Sequence, residues 1–174
     1  MFEIGSFIVY RSEGVCVVSD ISIENFGMIG KDEQYYKLTP INDRKSTVFV
    51  PLANERLVAF MRPLMSAEEI NKMADELRDE RMEWLPDSRG RNNAFRDVLS
   101  RGDRRELCVL VNTVNERLEQ IARAGKKAGS TELSALSKAE KMLYEEFSAT
   151  TDISSIEQIS LLLKGEIRLG ERPE

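Results

Sequence analysis

WLPDSRGRNNAFRDVLSRGDRR, residues 84–105, divides the chain into two kinds of sequence. It holds the only tryptophan, Trp84, and six arginines, Arg89, Arg91, Arg96, Arg101, Arg104 and Arg105, against three acids. Ahead of it, short β-branched and aromatic runs alternate with turn residues. Behind it, apolar residues recur at helical spacing. The expected fold is therefore α+β in two domains, a β module over residues 1–64 and an all-α helical bundle over residues 65–174.

In the first part, SFIVY (6–10) and VCVVSDISI (15–23) are dense in β-branched residues and are separated by RSEG, where Gly14 suits a turn. NFGMIGKDE (25–33) carries two glycines and reads as a hairpin loop. QYYKLTP (34–40) is a third strand ended by Pro40, and INDRKS is a turn. TVFVP (47–51) is a fourth strand, and LVAFMRP (57–63) holds a short fifth. Five short strands joined by tight turns predict a small five-stranded barrel of Tudor or SH3 type. Tyr35, Tyr36 and Phe49 belong to its core or to a half-buried sheet surface.

The second part opens on a capping box, Ser66 with Glu69, followed by the stripe Ile70, Met73, Ala74, Leu77. Pro86, Asp87 and Gly90 predict a break, and a short helix follows over about 92–100 with Phe95, Val98 and Leu99 facing inward. Gly102 stops it. Asp103 and Glu106 form a second capping box. They start a helix whose apolar face runs Leu107, Leu110, Val111, Val114, Leu118, Ile121. AGKKAGST (124–131) reads as a link, and Ser137 with Glu140 starts a helix that buries Met142, Leu143 and Phe147. A last helix spans 154–164, and residues 164–174 read as a flexible tail.

Composition narrows the function. No apolar run approaches the ~20 residues that cross a bilayer. The N-terminus lacks a basic, cleavable leader, so a cytoplasmic protein without a membrane partner is expected. Cys16 and Cys108 lack metal-ligand spacing and read as reduced, partly buried thiols. With no histidine, a His-dependent triad or a His-based metal site is impossible. No phosphate loop, nucleophile elbow or carboxylate constellation is present. A non-enzyme without cofactor, metal or catalytic residues is the expectation. The chain carries −5 overall, yet residues 89–127 hold 10 basic against 5 acidic side chains, a local +5. Such a segment either binds phosphates or forms a solvated helix surface.

The order of these pieces carries a resemblance. GSFIVYRSEGV near the start, YYKL, VFVP, then a tryptophan followed by SRGR, LSRGD and LSKAEKMLYEEF together resemble the CarD/CdnL family of bacterial transcription regulators. The resemblance spans about residues 2–163. It implies a Tudor-like N-terminal domain that binds the RNA polymerase β subunit and is similar to the matching domain of transcription-repair coupling factors. It also implies a helical domain that touches promoter DNA at the upstream edge of the bubble and stabilises the open complex, with no cofactor.

Carried onto this chain, the resemblance assigns polymerase binding to Glu24, Thr47, Val48 and Phe49. Glu24 and Phe49 stand where some family members carry arginines. TVFVP ends in proline and suits a sheet edge that extends a partner's sheet. DNA binding falls to Arg89, Arg91, Arg96, Arg101, Arg104 and Arg105, with Trp84 as an apolar wedge. A wedge requires a largely exposed ring in the free protein; the alternative for Trp84 is packing between the two domains. A monomer is expected. The other reading of the whole chain is a protein–protein adaptor whose helical domain binds no DNA.

Overall fold

The structure, a computed structural model, describes residues 1–26 and 32–173. The chain forms two compact units, Met1–Leu64 and Met65–Glu174.

The first unit is one antiparallel sheet of β1 (Phe7–Tyr10), β2 (Gly14–Glu24), β3 (Glu33–Pro40), β4 (Val48–Pro51) and β5 (Met61–Pro63), in the order β4-β3-β2-β1-β5. A 3-10 turn, Arg11–Glu13, links β1 to β2 and closes on Gly14 at φ 73°, a conformation glycine adopts without strain. Alternation sorts the side chains. Ile8, Tyr10, Cys16, Val18, Tyr36, Leu38, Val50 and Met61 pack into one core, while Tyr35, Lys37 and Thr39 of β3 point to the other face. The ladder slips between Val18 and Asp20, leaving Ser19 as the extra residue of a bulge, and the Ser19 hydroxyl donates to the Lys37 carbonyl.

The barrel expectation needs correction. No β4–β5 pairing closes the sheet among the described residues, so both strands are edges. They are only four and three residues long, and each ends in a proline that has no N–H to give. The first part of the run read as a fifth strand is instead a helical turn, α1 (Glu55–Val58), capped by the Asn54 side chain on the Leu57 amide. The predicted 25–33 hairpin loop falls largely on residues 27–31, which lie outside the described residues.

The second unit packs α2 (Ala67–Leu77), α3 (Ser88–Arg101), α4 (Arg104–Arg123), α5 (Ser130–Phe147) and α6 (Glu157–Lys164) around one core. The expected stripe of α2, Ile70, Met73, Ala74 and Leu77, is buried, as are Leu107, Leu110, Val111 and Val114 of α4, while Leu118 is half-buried against the core and Ile121 lies outside it. Ser66 and Glu69 make the full reciprocal box at the start of α2. The last helix starts at Glu157 rather than at 154, and two further starts differ. Asp87 is an N-cap, accepting from the Gly90 amide at 2.6 Å, so α3 starts at Ser88 and Gly90 sits inside its first turn. α5 starts at Ser130, so Ser137 lies mid-helix, and Glu140 accepts from the Ser160 hydroxyl of α6 instead of capping. No helix among the described residues is long and apolar enough to cross a membrane.

The last residues are not a loose tail. Leu169 is buried, and the Asn71 side chain brackets it, accepting from its amide at 3.0 Å and donating to its carbonyl at 2.8 Å. Glu171 bridges to Thr151, and its carboxylate accepts from the Ala67 amide at 2.9 Å, at the first turn of α2. The charged ends that read as a frayed tail are thus a strap whose single buried leucine fixes it. Ending the chain after Ile167 is expected to cost about 3 kcal/mol of helical-unit stability, mostly from losing Leu169. Urea unfolding followed by Trp84 fluorescence measures it; an unchanged midpoint contradicts the strap.

Candidate functional site

The first unit presents an apolar patch beside its β4 edge. Phe26 is 58% exposed and Phe49 37%, large values for phenylalanine. Their rings meet edge to face at 4.7 Å, and Tyr35 joins Phe26 at 5.3 Å, so the three form one exposed cluster. Lys37 lies opposite Phe49 in the register, with its ammonium 5.8 Å from that ring and 2.6 Å from Glu24. The hydrogen bond from Lys37 holds the Glu24 carboxyl below its ordinary pKa, and Glu24 raises that of Lys37. Glu24 and Phe49 therefore share one face, joined through Lys37. Thr47 is exposed just before β4, and Val48 packs half-buried on the core.

The backbone of β4 is equally directed. Leu52 N donates to Gln34 O at 2.8 Å, and Pro51 faces Tyr35. The alternation of an antiparallel ladder then turns the amides of Val48 and Val50 toward β3 and those of Phe49 outward. Phe49 offers both its ring and an open N–H and C=O at the sheet edge.

In the second unit the six arginines do not form one face. Arg104 is buried against Glu146, Nε to Oε1 2.9 Å. Arg91 pairs with the buried Glu132 at 3.3 Å and donates to the carbonyls of Leu85 and Pro86, which pins the chain ahead of α3. Both are structural, with 11% and 15% of their side chains exposed. Arg101 pairs with Glu106 at 2.7 Å and Arg105 with Glu76 at 3.0 Å, at the surface. Arg89 and Arg96 are exposed and make no ion pair among the described residues. Seven residues apart, they lie on one side of α3, with exposed Asn92 and Asn93 between them.

Trp84 is half-buried rather than largely exposed, which corrects the expectation for a free wedge. It packs on the core of its own unit, 6.3 Å from Phe95, and the guanidinium carbons of Arg91 and Arg117 lie over its ring at 5.0 and 5.3 Å. Trp84→Ala is expected to cost about 2 kcal/mol, below the ~3–5 of a fully buried tryptophan. Urea unfolding followed by circular dichroism checks this; a loss above 4 kcal/mol would make the residue a core element alone.

Residues 2–65, nearly the whole of the first unit, match the family model of the CarD-like/TRCF RID domain. The first unit is a CarD-like/TRCF RID domain. This relates the chain to transcription proteins that interact with RNA polymerase. No curated protein matches the chain. On this face of the RID domain, the sequence analysis named Phe49 and Glu24, read Tyr35 as core or half-buried sheet, and did not single out Phe26 or Lys37. The signal for Tyr35 and Lys37 was available in the β3 alternation, since they are the outward partners of inward Tyr36 and Leu38. Arg117 was missed because its α4 position reads as one more solvated helix charge.

Proposed function

We propose that the protein is a non-enzymatic transcription regulator that docks on the RNA polymerase β subunit through the β4 edge of its RID domain. In this reading it stabilises the promoter open complex through contacts of the helical unit with DNA upstream of the bubble. The observation that carries the docking is the open backbone of Phe49 together with the exposed Phe26–Tyr35–Phe49 cluster. An outward N–H and C=O extend a partner's sheet, and the aromatic cluster supplies the anchor beside it. The DNA contact rests on the α3 stripe of Arg89 and Arg96, which carries positive charge uncommitted to carboxylates. Arg101 and Arg105 join by exchanging surface carboxylates for phosphates, an exchange of low cost because exposed pairs are weak. Arg91 and Arg104 hold the fold and leave the DNA set. Trp84 contributes the exposed part of its ring.

The four arginine–carboxylate pairs favour a second reading, an adaptor whose helical unit binds no DNA. Arg89→Glu with Arg96→Glu separates the two. Under the DNA reading the double variant keeps polymerase binding, shortens the open-complex lifetime several-fold, and lowers the salt slope of promoter-complex affinity by about 2. An unchanged lifetime across a salt series would establish the adaptor.

A further inference from the structure

The open edge of β4 ends at a cavity of about 450 Å³, lined by Glu33, Pro51 and Glu55. Ala53 and Asn54 complete the lining, so nothing in it neutralises the two acids. Both carboxylates are exposed, and neither forms an ion pair among the described residues. Glu33 accepts from the Tyr35 hydroxyl at 3.3 Å, which holds its carboxylate beside the aromatic cluster. Glu33 also stands directly opposite Glu24 of β2, a like-charge pair on one face. Such a pair costs stability. The neighbouring cation is already engaged, since Lys37 meets Glu24 at 2.6 Å and Asp20 at 3.5 Å. On this face Asp20, Glu24 and Glu33 stand against Lys37, a net of −2, and Glu55 at the cavity makes it −3.

A strand added to β4 meets this charge at a fixed place. Its side chains alternate between faces, so those that share the face of Phe49 fall about 7 Å apart. One lies beside Phe49, over the exposed rings of Phe26 and Phe49. The next lies beside Pro51, at the mouth of the cavity. The rings suit an apolar side chain at the first position. The second suits a cation on a long stem, which packs along Pro51 and carries its charge to the acids. We propose that the polymerase strand docking on β4 carries an apolar residue over the Phe26–Phe49 rings and, two residues along, an arginine or lysine whose charge enters the cavity between Glu33 and Glu55. The inference rests on the docking proposed above and names the side chains that the edge selects. The cation gives Glu33 the counter-charge that Lys37 does not supply, so the acids act as a specificity element and steer the encounter.

Binding of the full chain to the captured polymerase β subunit tests this. Glu33→Gln with Glu55→Gln keeps both side-chain shapes at exposed positions, and circular dichroism checks the fold. Expected is about tenfold weaker binding at low ionic strength, from loss of charge-assisted contacts, with the difference shrinking as salt rises. Glu3→Gln with Glu13→Gln makes the same charge change at exposed positions near the N-terminus and in the β1–β2 turn, and leaves binding unchanged. Two results overturn the inference while docking stands. In the first, Phe49→Ala loses binding and the Glu33–Glu55 variant binds like wild type; if that variant instead abolishes a dimer of the free chain in sedimentation, the cation belongs to a second copy. In the second, the Glu3–Glu13 variant weakens binding equally, which assigns the effect to net charge and not to the cavity. A wild-type chain that does not bind the β subunit overturns the docking itself, and this inference with it.

Discussion

Glu146→Ala is expected to lower the stability of the helical unit by about 3–5 kcal/mol, among the largest effects of any single change outside the apolar core. Glu146 and Arg104 are 5% and 9% exposed, and their charged atoms stand 2.9 Å apart between α5 and α4. Truncating the acid leaves a guanidinium in the interior without its counter-charge, and the interior screens it poorly. The loss is not the worth of the pair. Arg104→Met with Glu146→Leu removes both charges and keeps the volume, so most of the stability returns. Urea unfolding followed by Trp84 fluorescence reads both variants. A single-variant loss under 1 kcal/mol, or a double variant as weak as the single, contradicts a buried charge pair.

Phe49→Ala is expected to weaken binding of the full chain to the polymerase β subunit by about thirtyfold, the ~2 kcal/mol typical of a central aromatic anchor. The fold should tolerate it, because the ring is outside the core that Val50 and Tyr36 share. Phe49→Pro removes the outward N–H as well as the ring and leaves the amides that serve β3 in place, so its loss should exceed that of alanine. Binding measured by surface capture of the β subunit, with circular dichroism of each variant, checks the pair. Equal binding by wild type and both variants would move the docking surface off β4.

The sequence carried the fold where local chemistry and packing agree. The α2 stripe and its Ser66–Glu69 box describe the same helix from two directions, and both are present. The β strands were legible because alternation and turn residues coincide, down to Pro51 at the end of an edge. Reading failed where a local signal had two meanings. Asp87-Ser88-Arg89-Gly90 looks like a break, but an aspartate ahead of a serine is also an N-cap, and the packing of Phe95 and Val98 selected the helix. Ser137–Glu140 matches a capping box, yet a buried Ala135 and Ala139 carry α5 straight through it. The last residues are held by buried Leu169 and by hydrogen bonds to Asn71, Ala67 and Thr151 far away in the chain, and one leucine among charges gives no periodicity to read.

The site was less legible for a related reason. Arginine count predicts charge, and pairing decides what the charge is free to do. Arg104 and Arg91 look like Arg89 in the sequence, but Glu146 and Glu132 lie 42 and 41 residues downstream on α5, and only tertiary structure brings them together. The two uncommitted arginines, Arg89 and Arg96, are those whose neighbours on α3 are asparagines.

Open-complex lifetime with the matching RNA polymerase is the most direct measurement of the proposed function. Adding the wild-type protein is expected to lengthen the lifetime several-fold on a promoter whose open complex is short-lived. Phe49→Ala should remove the effect by preventing docking, and Arg89→Glu with Arg96→Glu should remove it while docking persists. A lifetime that does not change when the wild-type protein is bound to polymerase would contradict open-complex stabilisation.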